Sequence, residues 1–393
     1  MYSSIPQQLF LFAQRKNMKE IYFISPALPK VNCGVGDHVA NIVSSIKKIK
    51  KNVSMNIITS KSDEINSSFE NYGSSKFFKL KSWTVSRFVK LLIQLKKSKN
   101  SKIFHYQYPI RYPVLRSIFF RIIPLSLIMR IFIRKEDQIF ITIHEYYKLS
   151  LLIRILKLIE LYFSDRIFVV TTVDRNLLGK YFSDKIEFFQ VGSNIKHDQQ
   201  SNSTLPNESN KSIIFFGSID PSKGIDCLSK VIDGLEHLSH RYTITMLGRF
   251  ISYEYEQKFK DHFRDLIEND KIKLVDYIDN SEIGQFLQKF DIGLLPFSHG
   301  AAPNRSSLIA LLCAGICVVT TYKKGVTPSY LEEGVNCILH EPDDAQGMIE
   351  SISLLLDDEN KLNAIKKNSK KLTKTFDWDI GARTIAKYYD KSL

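Results

Sequence analysis

Two loops in the second half of the chain carry residue types that bind phosphate groups. The first follows an apolar run and extends from Gly217 to Gly224, ending in a Lys-Gly pair. The second follows another apolar run about 80 residues later and contains the sequence Asn-Arg-Ser-Ser-Leu, beginning at Asn304. Glycine lets backbone N–H groups approach an anion, and Lys223 and Arg305 add positive charge beside a predicted helix start. The two loops therefore predict a diphosphate site at the carboxyl ends of parallel strands.

The elements around these loops alternate between strand and helix patterns, which is typical of parallel sheets. A chain of 393 residues exceeds the size at which single cores usually split, so two domains are expected. We predict a leader (1–17), a first domain (18–197) completed by a crossover helix (376–393), a linker (198–211) and a second domain (212–375).

The two loops, at this distance and in this order, resemble the carboxyl-terminal domain of GT-B glycosyltransferases, specifically the retaining GT4 family (glycosyl transferases group 1). In the first half, the loop from Cys33 to Asp37 is similar to the family's glycine loop, and His144-Glu145 is similar to its loop histidine. The segment around Trp378 resembles the family's crossover helix. The resemblance implies an α/β fold of two doubly wound, Rossmann-like parallel-sheet domains that face each other across a cleft.

The same resemblance implies a hexosyltransferase-type enzyme (EC 2.4). It would move a sugar from a nucleotide-diphosphate donor to a glycan or lipid-linked acceptor, with retention, in cell-surface polysaccharide or glycolipid synthesis. The second domain would bind the nucleotide sugar and the first the acceptor. Neither a metal nor another cofactor is expected, because helix amino termini and basic side chains stabilise the leaving diphosphate.

Carried over to this sequence, the family's site residues fall into two groups. His144 and Glu145 are the catalytic candidates. The donor-binding candidates are Gly34, Gly36, Gly217, Ser218, Lys223, Arg249, Tyr277, Ile278, Arg305, Ser306, Ser307 and Leu308. Asp37 and His38 are further candidates for binding hydroxyl groups, although Asp37 is equally suited to cap the following helix.

Three positions depart from the family's pattern. Ala302 and Ala310 stand where the family has paired glutamates, and Ser218 stands where it usually has an arginine. These departures keep an alternative open, in which the chain is a non-catalytic GT-B subunit that supports a partner transferase. An epimerase or phosphorylase on the same architecture is a third hypothesis, but no acid/base carboxylate pattern or cofactor lysine accompanies the fold.

The positive charge is concentrated in one part of the chain. The formal net charge is +14, while residues 71–135 contain fifteen bases and no acid, together with an apolar run near residues 119–133. Basic residues beside an anionic leaflet contribute about 1 kcal/mol each, so we predict peripheral contact with an anionic membrane through residues 76–135. The alternative is that the apolar side packs on the first sheet and the bases form a solvated face. No zinc, helix-turn-helix or RNA-binding signature supports nucleic acid as a partner.

The remaining signals concern the compartment. The apolar part of the first 17 residues is too short for a signal peptide. Five cysteines without zinc-type spacing favour a reducing environment. We therefore expect a cytoplasmic protein that is peripheral on the inner face of the cell membrane.

Overall fold

A computed structural model describes residues 19–25, 34–50, 53–61, 75–108, 124–195, 211–237, 242–279 and 281–391. The predicted leader (1–17), linker residues 198–210, Cys33 and residues 109–123 of the predicted membrane segment lie outside the described residues. Grouping by contacts divides the chain into a first unit, Met1–Val191 with Trp378–Leu393, and a second unit, Gly192–Asp377.

The first unit is built on a seven-stranded sheet. Its strands are β1 (Glu20–Ile24), β2 (Ser54–Ser60), β3 (Lys76–Leu80), β4 (Lys102–Tyr108), β5 (Gln138–Ile143), β6 (Arg166–Val169) and β7 (Ile186–Phe188). Its first five helices are α1 (Gly34–Ile49), α2 (Val85–Lys96), α3 (Leu125–Phe132), α4 (Leu151–Tyr162) and α5 (Thr172–Phe182). A 3₁₀ turn, Tyr146–Lys148, lies between β5 and α4.

The second unit is built on a six-stranded sheet. Its strands are β8 (Lys211–Phe216), β9 (Tyr242–Leu247), β10 (Ile272–Val275), β11 (Ile292–Leu295), β12 (Cys317–Thr321) and β13 (Ile338–His340). Its helices are α6 (Ile225–Glu236), α7 (Tyr253–His262), α8 (Arg264–Glu268), α9 (Ile283–Leu287), α10 (Ser306–Ala314), α11 (Ala345–Asp357) and α12 (Glu359–Lys371). Two 3₁₀ turns are Pro221–Lys223 and Leu372–Phe376. The last helix, α13 (Trp378–Lys391), packs against α1 in the first unit.

Both sheets are parallel and have the same strand order at their centre. The first runs β3-β2-β1-β4-β5-β6-β7 and the second β10-β9-β8-β11-β12-β13, so each has its switch point beside its own first strand, between β1 and β4 and between β8 and β11. In such sheets, ligands bind outside the carboxyl ends of the strands at the switch point. The predicted fold class, two doubly wound α/β domains, is confirmed.

Three elements show where local sequence patterns are weak guides. Lys76–Leu80 forms the edge strand β3, although its exposed lysines interrupt the apolar pattern. The helical stretch after β9 is divided into α7 and α8 at Phe263, which is buried. The helix before β11 is short, since α9 spans only Ile283–Leu287.

Apolar side chains cover both faces of the first sheet. One core cluster joins the sheet to α2, α3 and α4, and the other joins it to α1 and α13, where Trp378 and Tyr389 are buried. The four described cysteines are free and buried. Among the helices that the structure describes, none has the length and apolar character needed to cross a membrane.

Candidate active site

The predicted donor residues of the second unit follow neighbouring strands along one edge of the sheet. Tyr277 and Ile278 follow β10, Arg249 follows β9, and Gly217 and Ser218 follow β8. The loop containing Arg305 comes after β11, on the other side of the switch point. This order places base-binding candidates at one end of the edge and phosphate-binding candidates at the switch point.

Three glycines let the chain approach closely at this edge. Gly217 and Gly248 have φ angles of +137° and +150°, and a Cβ on Gly248 would lie 1.8 Å from the Gly217 carbonyl oxygen. Gly224 has a φ of +76°, and a Cβ there would lie 1.6 Å from the carbonyl oxygen of Pro296. Side chains at these positions would push β8, β9 and β11 apart, so glycine is needed to form the edge.

Lys223 and Arg305 meet at one aromatic ring. The Lys223 Nζ is 5.5 Å and the Arg305 Cζ 4.8 Å from the centroid of the Phe297 ring. The Arg305 Nε is buried and has no hydrogen-bond partner among the described residues. Two like charges gathered at one ring, with an unused guanidinium donor, form a site suited to a multivalent anion.

Helix α10 adds backbone donors to these cations. Arg305 is its N-cap residue, and the first intrahelical bond is donated by Ile309 N–H to the Arg305 carbonyl, 3.0 Å away. The N–H groups of Ser306, Ser307 and Leu308 therefore precede the helical ladder and are the groups that bind anions at a helix start. The Ser307 hydroxyl is buried and has no partner among the described residues. Gly217 lies against it, since a Cβ there would be 3.7 Å from the Ser307 Oγ.

Two threonines fix the loop that carries Phe297. The Thr320 hydroxyl donates to the Leu295 carbonyl at 2.7 Å, and the Thr321 hydroxyl donates to the Phe297 carbonyl at 2.6 Å. Ala301 N–H donates to the Thr321 carbonyl at 2.9 Å. Because these bonds tie the loop to β12, the ring that holds both cations has a defined position.

The other second-unit candidates have their own surroundings at the strand ends. The Ser218 hydroxyl donates to Asp220 at 2.6 Å, so it is engaged within its own loop. Arg249 and Tyr277 are exposed at the strand ends, and Ile278 is half-buried. It is the strand order that places these residues on the same edge as Lys223 and Arg305.

In the first unit, His144 lies at the carboxyl end of β5. Its backbone N–H donates to the Tyr108 carbonyl at 2.8 Å, which extends the pairing of β4 with β5. Its Nε2 is 3.1 Å from the Gln107 Oε1, an acceptor that favours the tautomer with the proton on Nε2. Burial lowers the pKa of His144 to about 4, although the nearby Glu145 carboxylate opposes this shift. The imidazole is therefore neutral at pH 7.

His38 lies beside His144 and is also neutral. The two rings meet edge to face with centroids 4.7 Å apart, and the His38 ring also contacts Trp378 and Phe189. Burial, followed by the proximity of His144 and His105, holds the pKa of His38 well below its usual range. Neither ring nitrogen of His38 has a hydrogen-bond partner among the described residues. Such a buried imidazole has hydrogen-bonding capacity available for a ligand.

The predicted glycine loop is partly helical. Gly34 is the first residue of α1, and Gly36 and Asp37 lie in its first turn. The proposed role of Asp37 as a helix cap is therefore wrong, because the helix starts at Gly34, three residues before Asp37 itself. Burial raises the pKa of Asp37 to about 6.

Glu145 is directed to a structural partner. Its carboxylate pairs with Lys148 at 2.6 Å, within the same turn. This turn is held by Asp174, whose carboxylate accepts hydrogen bonds from Tyr146 N–H and Tyr147 N–H at 3.1 and 2.8 Å. The structure thus gives Glu145 a place beside His144 but engages its carboxylate with a lysine.

Sequence reasoning missed three residues at these edges: Gln107, Asp174 and Phe297. Phe297 directly follows the strand Ile292–Leu295 and its adjoining proline, so its position after a strand end was the available signal. For Asp174 the available signal was the spacing of an acid three residues after a threonine, which is typical of a helix start; the Thr171 hydroxyl caps α5. Gln107 lies inside an apolar strand and had no local signal.

The comparisons with known proteins agree with this arrangement. Residues 196–372 match the family model of glycosyl transferases group 1. The fold is similar to a glycosyltransferase from Rickettsia africae (16% identity, TM-score 0.76, covering 96% of this chain and 99% of that one). It is also similar to Anabaena Alr3699/HepE in complex with UDP (14%, 0.70, 95% and 100%) and to the lipopolysaccharide outer core galactosyltransferase WaaB (11%, 0.65, 95% and 100%). A search of curated protein sequences finds no match.

The family match covers the unit in which Lys223, Arg305 and the start of α10 meet, and the fold likeness extends over almost the whole chain. The predicted family is confirmed for residues 196–372 at the level of glycosyl transferases group 1, and the predicted enzyme class, glycosyltransferase, with it. Residues 196–372 therefore form a glycosyl transferases group 1 domain, and the chain as a whole has the fold of GT-B glycosyltransferases.

Proposed function

We propose that this protein transfers a sugar, with retention, from a nucleotide-diphosphate donor to a glycan or lipid-linked acceptor in cell-surface polysaccharide or glycolipid synthesis. The observation that carries the proposal is the convergence of Lys223 and Arg305 on the Phe297 ring, beside the first N–H groups of α10. A nucleoside diphosphate is the anion that fits such a site at a switch point.

The second unit would stabilise the leaving group. As the bond between the anomeric carbon and the phosphate oxygen breaks, negative charge grows on the diphosphate, where both cations and the α10 N–H groups lie. The acceptor oxygen bonds to the anomeric carbon on the same face, and its proton passes to the departing phosphate oxygen. No side-chain nucleophile is required. We propose that the reaction needs no metal, because these groups already supply positive charge.

The first unit would contact the sugar or the acceptor. His144, with a proton on Nε2, and His38, with both nitrogens buried, are uncharged groups that suit hydroxyls better than phosphates. Asp37 in the first turn of α1 is a further hydroxyl ligand in this proposal.

UDP is the first nucleotide to test. Alr3699/HepE, which has a similar fold, is described in complex with UDP and with UDP-glucose. WaaB, also similar in fold, is described as acting on the lipopolysaccharide outer core, which supports a cell-surface glycan as acceptor.

The test is a thermal-unfolding panel with UDP, GDP, ADP, CMP and common nucleotide sugars, in the presence of EDTA. A ligand at about 100 times its Kd stabilises the folded state by about 2.7 kcal/mol, which is a shift of several degrees. We expect one nucleoside diphosphate to shift the wild type and to shift Lys223→Ala much less. Lys258→Ala, which removes an exposed lysine of the same unit, is the matched control and should respond like the wild type. No shift with any nucleotide would contradict the donor site.

The second candidate function is a non-catalytic subunit that supports a partner transferase. It is favoured by Ala302 and Ala310, which are buried and bring no carboxylate to the site, and by Ser218, whose hydroxyl is engaged with Asp220. Turnover separates the candidates. A catalytic protein that binds the nucleotide sugar also releases nucleoside diphosphate when acceptor is added, and Arg305→Ala abolishes that release.

We also propose that the protein works at the inner face of the cell membrane, in peripheral contact through residues 76–135. In the described part of this segment, α2 buries Phe88, Leu91, Leu92 and Leu95 against the sheet. Its lysines and arginine are exposed. The bases are therefore available to anionic headgroups, while most apolar residues of α2 are used in the core.

A further inference from the structure

Helix α4 has its apolar side facing outwards. Leu151, Leu152, Ile155, Ile159 and Tyr162 are 73%, 68%, 53%, 42% and 67% exposed. At 100° per residue they fall within an arc of roughly 100° on the helix surface. A helix that packs on a sheet normally turns such a stripe inwards. Here a stripe of large apolar side chains, the α4 face, is left in contact with solvent.

The inner side of α4 carries a charged pair. Lys157 and Glu160 are 1% and 0% exposed and form an ion pair with each other. The Lys157 Nζ also lies 4.2 Å from the centroid of the Tyr108 ring. The helix therefore buries a charged pair beside Leu161, while its widest apolar stripe lies outside.

Hydrogen bonds to α3 fix this orientation. The Ser126 hydroxyl donates to the Glu160 carbonyl at 2.6 Å. Burial raises the pKa of the Glu160 carboxyl, while Lys157 and the backbone N–H groups of Leu125 and Ser126 at the start of α3 oppose that shift. Turning the helix to bury the exposed stripe would expose the ion pair of Lys157 with Glu160 and break the bond from the Ser126 hydroxyl. The outward position of the α4 face is thus set by the core.

The neighbouring helices add positive charge. Helix α3 packs against both α2 and α4, so the three helices lie side by side on one side of the sheet. Ile131 on α3 and Ile93 on α2 are 65% and 48% exposed, and Lys90 and Lys97 lie on either side of Ile93 on the outer side of α2. No acid occurs between residues 71 and 135.

We propose that the α4 face inserts into an anionic lipid surface while the exposed bases of α2 contact its headgroups. The inference rests on the proposed membrane contact and deepens it, because it places the apolar anchor on α4, outside residues 76–135. Charge decides between a bilayer and a second copy of the chain. In a two-fold dimer through this surface the basic α2 regions would approach each other, whereas an anionic leaflet attracts them. Leucine, isoleucine and tyrosine flanked by bases are the composition of interfacial helices.

The experiment is co-sedimentation of the full chain with vesicles of phosphatidylglycerol and phosphatidylcholine, compared with phosphatidylcholine alone. We expect the wild type to bind the anionic vesicles. Leu152→Ser/Ile155→Ser should lower partitioning by about tenfold or more, because two inserting side chains lose their apolar area. Lys90→Gln/Lys97→Gln should lower it by about thirtyfold at low salt. Leu354→Ser, at a 58% exposed leucine on α11, and Lys258→Gln are the matched controls and should bind like the wild type.

Three results would overturn the proposal. The first is a wild type that does not sediment with anionic vesicles, and the second is a Leu152→Ser/Ile155→Ser variant that binds them as the wild type does. The third is a wild-type dimer in sedimentation velocity that becomes a monomer in this variant, which would assign the α4 face to a second copy of the chain. Thermal unfolding checks that the variants fold, and unchanged nucleotide binding shows that a loss of vesicle binding bears on this inference alone. Loss of nucleotide binding with intact vesicle binding would bear on the transferase proposal alone.

Discussion

The two units share a strand order at the centre of the sheet but present opposite chemistry at the carboxyl ends of their strands. In the second unit, Lys223 and Arg305 gather positive charge beside a helix start. In the first unit, the corresponding edge holds His38 and His144, whose pKa values burial lowers so that both rings are neutral at pH 7.

The difference teaches that topology fixes where a ligand binds, while side chains decide which ligand it is. Cations and unpaired backbone N–H groups recognise a diphosphate, whereas neutral imidazoles recognise hydroxyls. If this division is correct, changes at one edge affect nucleotide binding and changes at the other affect turnover. The four predictions below test this division, in decreasing order of expected effect.

Removing both cations of the second unit has the largest expected effect. Each charge-assisted hydrogen bond to the diphosphate contributes about 2 kcal/mol, so Lys223→Ala/Arg305→Ala should weaken nucleoside-diphosphate binding by about 4 kcal/mol, or roughly a thousandfold. Isothermal titration calorimetry at two salt concentrations measures this.

The matched control is Lys258→Ala/Arg264→Ala, which removes two exposed cations of the same unit whose side chains are 74% and 63% exposed. It should bind the nucleotide within about twofold of the wild type, because exposed ion pairs contribute little. Equal losses in the two double variants would show that net charge, and not the site around Phe297, attracts the ligand.

The neutral histidines predict that the first unit loses stability in acid. A histidine with a lowered folded-state pKa leaves the free energy of unfolding unchanged above pH 6.5. Below that pH it lowers the free energy of unfolding by an increasing amount, since the unfolded state takes up the proton. For His38 this cost is about 2 kcal/mol at pH 5. Asp37 and Asp174, whose pKa values burial raises to about 6, contribute in the opposite direction below that pH.

His38→Phe isolates one histidine from these opposing contributions. Relative to the wild type, the variant should gain about 2 kcal/mol of unfolding free energy between pH 7.5 and pH 5. Urea unfolding at the two pH values measures the difference. If the variant and the wild type differ equally at both, the His38 ring does not stay neutral in the folded state.

Sequence patterns predicted most of the fold and the charged half of the site. Strand ends are visible as apolar runs that stop at glycine or polar residues, so Lys223 and Arg305 were found from position alone. The Phe297 ring between them was not found, because a contact among three loop residues depends on the hydrogen bonds that Thr320 and Thr321 make.

Two other features were beyond sequence reasoning for different reasons. The contact of Gln107 with His144 depends on the register in which β4 and β5 pair, with Gln107 opposite Thr142. In α4, apolar residues at helical spacing do not reveal whether their side faces the core. Only the buried pair of Lys157 and Glu160 shows that it faces outwards.

His144→Ala tests the division from the first unit. A neutral hydrogen bond to a substrate hydroxyl contributes about 1.4 kcal/mol, so turnover should fall by about tenfold. Affinity for the nucleoside diphosphate should stay within about twofold, because the cations lie in the other unit. His144→Gln, which keeps an N–H donor, should recover part of the rate. A loss of nucleotide affinity in His144→Ala would break the proposed division of roles.

Gln107 gives the smallest expected effect and the most specific one. As a positioning residue it holds the His144 ring through the 3.1 Å bond to Nε2, so Gln107→Leu should lower turnover severalfold, or about 1 kcal/mol, without changing nucleotide affinity. Gln107→Glu should keep the acceptor but place a carboxylate beside the ring, which raises the pKa of His144 from about 4. Its turnover should therefore begin to fall at a higher pH than that of the wild type as the solution is acidified.

A double-mutant cycle then shows whether Gln107 acts through His144. If it does, Gln107→Leu has no further effect in a His144→Ala background, since the ring it holds is gone. Additive losses would mean that Gln107 contacts the substrate itself through its own side-chain amide nitrogen, which is buried and has no hydrogen-bond partner among the described residues. In that case the neutral edge of the first unit would have a third hydroxyl ligand, and the contrast with the charged edge of the second unit would be stronger.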